Sequence, residues 1–240
     1  MEQARRPFAK AATFTAIAFA LPLALAGCGD RTAPAAPQAS ASAQPPQRPA
    51  GPHKVVLAFG DSLFAGYGLD PGESYPAQLE RALWAKGINA SVVNAGVSGD
   101  TTAAARERLA FTLDNQPARP VLALISLGGN DMLRGLPLDQ TRANLDAILA
   151  EFDKRHIPVI VEGMLAAPNM GKDYASRFNE LFPELTKKHG DALVPFFLQP
   201  VVGQAGLMQA DNIHPNAKGV GKVVAATVDR VVAGLNDEGA

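Results

Sequence analysis

Ser62 closes the triplet Gly60-Asp61-Ser62 at the end of an apolar run, and His214 stands in Asp211-Asn212-Ile213-His214-Pro215. A seryl hydroxyl is a poor nucleophile until a base takes its proton. A neutral imidazole serves as that base when a carboxylate fixes its tautomer and stabilises its charged form. Asp211 precedes His214 by three residues, so both side chains can lie on one side of a turn or short helix. The pair alone also fits a capping aspartate beside a surface histidine. The other histidines are weaker candidates. His53 borders a Pro-rich stretch, His156 precedes a strand, and His189 follows Lys187-Lys188 at what reads as a solvated helix end.

Positioning such groups requires a scaffold, and the pattern of apolar runs describes one. Lys54–Phe59, Ala90–Val93, Val121–Leu127, Ile157–Val161 and Leu193–Phe196 read as five strands. Between them lie amphipathic helices: one over 76–86 with Leu79, Ala82 and Leu83 on one face, one with Leu145, Ile148, Leu149 and Phe152, and one with Phe178, Leu181, Phe182 and Leu185. Val220, Val223, Val224, Val228 and Val231 mark a closing helix after Pro215. Near-continuous apolar strands separated by helices argue for a parallel sheet covered on both faces. Ligands of such folds bind beyond the carboxyl ends of the strands. Gly60-Asp61-Ser62, Asn94-Ala95-Gly96 and Gly128-Gly129-Asn130-Asp131 all fall there. Each motif is also what an ordinary strand-to-helix turn prefers.

The first 52 residues stand outside this pattern. Arg5, Arg6 and Lys10 precede an uncharged Ala- and Leu-rich stretch that ends at Leu25-Ala26-Gly27-Cys28. The stretch contains Thr13, Thr15 and Pro22, and is too short and weakly apolar for a spanning helix. It reads as a removable leader. Its end resembles the bacterial lipoprotein processing signal, which implies lipidation of Cys28, the chain's single cysteine. Residues 29–52 hold six prolines and seven alanines, a composition that keeps a chain extended and without a core. The expected organisation is therefore a signal and lipobox over 1–28, a tether over 29–52 and one folded domain over 53–240.

Composition restricts the partners. The chain has 240 residues, with 22 basic against 23 acidic side chains. Setting aside five basic and two acidic residues of the leader leaves 17 against 21, a mildly acidic domain without the basic footprint of a nucleic-acid binder. One cysteine excludes an intramolecular disulfide, and four scattered histidines speak against a Cys/His zinc cluster.

Phe59-Gly60-Asp61-Ser62-Leu63, Asn94-Ala95-Gly96, Gly128-Gly129-Asn130-Asp131 and Asp211-Asn212-Ile213-His214-Pro215 together resemble the four ordered blocks of the SGNH, or GDSL, hydrolases. Ala65–Leu69, Val97–Thr102 and Pro195-Phe196-Phe197 are similar to the acyl-CoA thioesterase I, lysophospholipase L1 and arylesterase branch. The resemblance implies an α/β, three-layer, flavodoxin-like fold around a five-stranded parallel sheet. It makes Ser62 the nucleophile, His214 the general base and Asp211 its orienting carboxylate. The oxyanion hole falls to the backbone N–H groups of Ser62 and Gly96 and the amide of Asn130. Glycine allows close backbone approach, and a neutral amide donates without being neutralised by the charge it stabilises. The chain order Ser, Asp, His matches the α/β-hydrolases, but Phe64 replaces the second glycine of their nucleophile elbow.

The implied activity is hydrolysis of aryl esters, acyl esters or thioesters, lysophospholipids among them, with no metal or cofactor. Tyr67, Met132, Leu133 and Met164–Pro168 are candidates for an apolar acyl wall, while Asp61, Ser98, Asp100 and Asp131 read as turn and supporting residues. Two alternatives stay open: an O-acetylesterase of envelope carbohydrate and an inactive ligand-binding lipoprotein. The expected setting is the cell envelope, with the domain held to a membrane through Cys28 and facing the periplasm or outside. The oligomeric state is left open; a monomer is compatible.

Overall fold

The computed structural model describes residues 46–237. The leader and Cys28 lie outside the described residues, as does most of the segment expected to be a tether. Its last residues are held against the domain. Arg48 Nε donates to Asn89 Oδ1 at 2.7 Å, and Asn89 Nδ2 donates to the Gly51 carbonyl at 2.6 Å.

Five strands form one all-parallel sheet: β1 (Lys54–Gly60), β2 (Ala90–Gly96), β3 (Leu122–Ser126), β4 (Val159–Glu162) and β5 (Ala192–Val194). Their spatial order is β2-β1-β3-β4-β5, the flavodoxin-like arrangement. The register aligns Gly60 with Gly96 on one side and with Ser126 on the other. The carboxyl ends of β1, β2 and β3 are therefore level, and the loops that follow them emerge side by side.

Alternate strand residues feed two cores. Leu57, Phe59, Ala123, Ile125, Val159 and Val161 pack towards α3 (Thr102–Asp114), α5 (Leu138–Lys154) and α6 (Lys172–His189). Val56, Ala58, Leu122, Leu124 and Ile160 face α2 (Tyr75–Ala85) and α7 (Ala217–Asp237). Two short helices, α1 (Ser62–Ala65) and α4 (Gly129–Leu133), begin directly after β1 and β3. The expected three-layer fold is present.

α3 has no counterpart among the helices expected from sequence. Its buried stripe is Thr102, Ala105, Leu109 and Leu113, while the bulky Phe111 is 72% exposed, so the apolar periodicity is faint. His189 differs from its sequence reading too. Its side chain is mostly buried and lies between Asp153 Oδ2 at 2.5 Å and Asp146 Oδ1 at 2.7 Å, linking the end of α6 to α5.

Candidate active site

Asp61 ends the turn out of β1 and caps α1: its Oδ1 accepts the Leu63 N–H at 3.0 Å. Ser62 is the first residue of that helix, just beyond the carboxyl end of β1, between the ends of β2 and β3. Asp61 is itself buried, and burial pushes its carboxyl up to about 6 against hydrogen bonds from Leu63 N–H and Asn130.

His214 arrives from the loop before α7. Asp211 shapes that loop, its Oδ1 accepting both the Ile213 and the His214 backbone N–H at 3.0 Å. Its other oxygen, Oδ2, accepts from His214 Nδ1 at 2.6 Å. Burial alone would raise the Asp211 carboxyl, but hydrogen bonds from the His214 ring and from the two N–H groups hold it down at about 2. A proton fixed on Nδ1 leaves the lone pair on Nε2. Nε2 lies 2.8 Å from Ser62 Oγ, so the hydroxyl can donate to it. The Tyr67 ring packs 4.8 Å from the imidazole, and Gln209 ties the two loops by donating to the Tyr67 carbonyl at 2.8 Å.

Asn130 lies in the first turn of α4, and its amide donates to Asp61 Oδ2 at 3.3 Å, leaving a second N–H for another acceptor. The buried Asp131 beside it anchors this segment by accepting from Thr102 N–H at 2.8 Å, Thr102 Oγ1 at 2.5 Å and Thr141 Oγ1 at 3.2 Å. Ser62, Asn130 and His214 line one cavity of about 670 Å³, and Asp211 reaches it through His214.

Gly96 is not part of that lining, and its expected oxyanion role is corrected on geometry. Its N–H is already taken by Asn94 Oδ1 at 2.9 Å. A Cβ on Gly96 would stand 2.3 Å from the Ala65 nitrogen and 2.8 Å from the Phe64 carbonyl carbon. This glycine therefore serves the close packing of β2 on α1. Gly99 lines the cavity instead. Among the described residues neither its N–H nor that of Ser62 meets an acceptor.

The acyl-wall candidates Tyr67, Met132, Leu133 and Met164–Pro168 all line the cavity. Phe196, expected at the end of the fifth strand, lies beyond β5 and lines the cavity. So do Leu198, Val202 and Met208, which the sequence did not single out because they stand in a loop without periodicity. Arg108 was also missed. It stacks 4.2 Å over Phe59, pairs with Asp100 at 2.6 Å and donates to the Gly60 carbonyl at 2.9 Å, pinning the end of β1.

Comparison with known proteins identifies the family. The GDSL-like Lipase/Acylhydrolase family matches residues 58–221. Esterase TesA of Pseudomonas aeruginosa is 38% identical over 162 residues, covering 68% of this chain and 80% of the relative. The arylesterase of Vibrio mimicus is 36% identical over 160 residues, covering 67% and 79%. The crystal structure of AlinE4, an SGNH-hydrolase family esterase, superposes with a TM-score of 0.66 at 53% identity, covering 78% of this chain and 98% of that one. The chain belongs to the GDSL-like lipase/acylhydrolase family, a family of ester hydrolases.

Proposed function

We propose that this protein hydrolyses carboxylic esters through an acyl-enzyme on Ser62, taking aryl esters and medium-chain acyl esters or thioesters. The observation that carries the proposal is the continuous relay from Asp211 Oδ2 through His214 to Ser62 Oγ, opening into an apolar cavity. Ser62 Oγ attacks the carbonyl carbon as its proton passes to His214 Nε2, and Asp211 stabilises the imidazolium that forms. The oxyanion accepts from the Ser62 N–H, the Gly99 N–H and the Asn130 amide. When the tetrahedral adduct collapses, the bond to the leaving oxygen or sulfur breaks, and that atom takes the proton from His214. Water then attacks the acyl carbonyl, giving its proton to Nε2, and the acid departs to regenerate the Ser62 hydroxyl.

A cavity of about 670 Å³ with methionine, leucine and phenylalanine walls exceeds what an acetyl group fills and suits an acyl chain. Acyl-CoA is an awkward substrate outside the cytoplasm, so lipid or other ester substrates fit the envelope setting better. Hydrolysis of a chain-length series of aryl esters, run beside acetylated xylan and O-acetyl peptidoglycan, tests the reading. Activity rising from acetyl to medium chains is expected; activity confined to the sugar acetates would overturn it.

The lipobox-like Leu25–Cys28 supports lipidation of Cys28 and an envelope location. More than one acyl chain is needed for stable anchoring, as processed lipoproteins carry. Wild-type protein is expected in the membrane fraction, and Cys28→Ser is expected to release it or to accumulate a precursor. Fully soluble, unlipidated wild type would contradict this.

A further inference from the structure

Seven large hydrophobic side chains are exposed among the described residues, and five of them ring one opening: Tyr67, Leu133, Leu165, Val202 and Ile213, each 43–55% exposed. All five stand at the mouth of the cavity that holds Ser62 and His214. Apolar surface concentrated in one patch marks an interaction site, whereas scattered exposed hydrophobics do not.

Two of the segments that build the mouth are also free of charge, while Arg134 beside Leu133 and Asp211 near Ile213 stand at its edge. Residues 163–171 contain no Asp, Glu, Lys or Arg, and neither do the nineteen residues 192–210, in a chain where charged residues make up 19%. At that frequency three or four charges would fall within 192–210. We infer that this rim is a docking surface for a lipid–water interface, on which the enzyme rests while an acyl chain passes from the lipid phase into the cavity. The inference deepens the ester-hydrolase reading by naming the physical state of the substrate, but it is testable without hydrolysis.

Two observations favour lipid over another occupant. A protein partner seated on the rim would cover the cavity that holds Ser62, whereas a fluid interface supplies that cavity with its ligand. The chain also has the reach to dock. The described N-terminal segment meets the sheet at Asn89 and Ser91, at the strand starts, opposite the carboxyl edge that carries Ser62. The nineteen residues between Cys28 and Arg48 span about 60 Å when extended, against a domain diameter of about 40 Å. A domain held at Cys28 can therefore turn its mouth towards the surface that holds it.

The test uses full-length Ser62→Ala protein carrying Leu133→Trp, mixed with phosphatidylcholine vesicles containing brominated phospholipid. The chain's single tryptophan, Trp84, donates to the Ala90 carbonyl at the strand-start end of the domain and serves as the internal control. Leu133→Trp is expected to shift its emission to the blue and to lose emission to the bromine, with Trp84 unaffected and with no reversal at high salt. Adding Leu165→Asp and Val202→Asp is expected to abolish both changes. Emission from Leu133→Trp that ignores the vesicles would overturn the inference. So would self-association that the two aspartates dissolve, since the rim would then be an interface between copies. Failure of wild-type ester hydrolysis would overturn the functional reading and leave this result standing.

Discussion

Asn130 donates its side-chain amide to Asp61 Oδ2 at 3.3 Å, so the carboxyl group that caps the Ser62 helix also holds the amide that lines the cavity beside Ser62. Ser62 and Asn130 are thus held by one buried group.

Asn130→Ala is expected to lower kcat by roughly 10²–10³-fold, about 2.7–4 kcal/mol of transition-state stabilisation. KM is expected to change far less, because the ground-state carbonyl is a modest acceptor. Steady-state kinetics on active-site-titrated protein check it. A kcat within a few-fold of wild type would remove Asn130 from the oxyanion hole.

Asp211→Asn retains a side-chain oxygen for the Ile213 and His214 N–H groups but no longer fixes the proton on Nδ1. A kcat loss of about 10⁴-fold is expected, by analogy with other triads. The Tm is expected to fall only slightly, and kinetics paired with thermal unfolding separate the two effects.

Gly96→Ala tests the packing role of this glycine between β2 and α1. The added Cβ collides with the backbone of α1, so the variant is expected to lose about 1–3 kcal/mol in urea unfolding. A variant as stable as wild type would show that β2 and α1 are less closely packed than described.

Glu162 is fully buried at the end of β4, and neither of its oxygens meets a hydrogen-bond partner among the described residues. Burial pushes its carboxyl from 4.5 up to about 8, against the pull of Arg230. The folded chain therefore keeps a proton that the unfolded chain releases above pH 4.5. The cost is absent below that pH and grows until pH 8, reaching on the order of a few kcal/mol. Glu162→Gln is expected to match wild type near pH 4 and to exceed its stability near pH 8.5. Equal differences at both pH values in urea titrations would contradict this.

Much of this molecule is legible in the sequence because chemistry and packing leave different marks there. The strands show as unbroken apolar runs since both faces of a parallel sheet are covered. Asp211 and His214 show because three residues suffice to close their turn. α3 does not show, since Thr102 and Ala105 fill part of its buried stripe and Phe111 points outward. Gly96 and Gly99 look alike in sequence. They separate only when Asn94 is seen to occupy the N–H of one. The cavity residues Leu198, Val202 and Met208 have no periodicity, and their one mark is the long uncharged stretch 192–210. His189 was masked by its neighbours Lys187 and Lys188, which suggested solvent where Asp146 and Asp153 stand.

The central claim is that Ser62 is the acylated nucleophile. Intact-mass and peptide mass spectrometry after treatment with a fluorophosphonate test it most directly. One phosphonyl group per chain, on the peptide containing Ser62, is expected for wild type, with none on Ser62→Ala and slow but complete labelling of Asn130→Ala. Wild-type protein that hydrolyses esters yet stays unlabelled, or Ser62→Ala that labels as fast as wild type, would contradict the account.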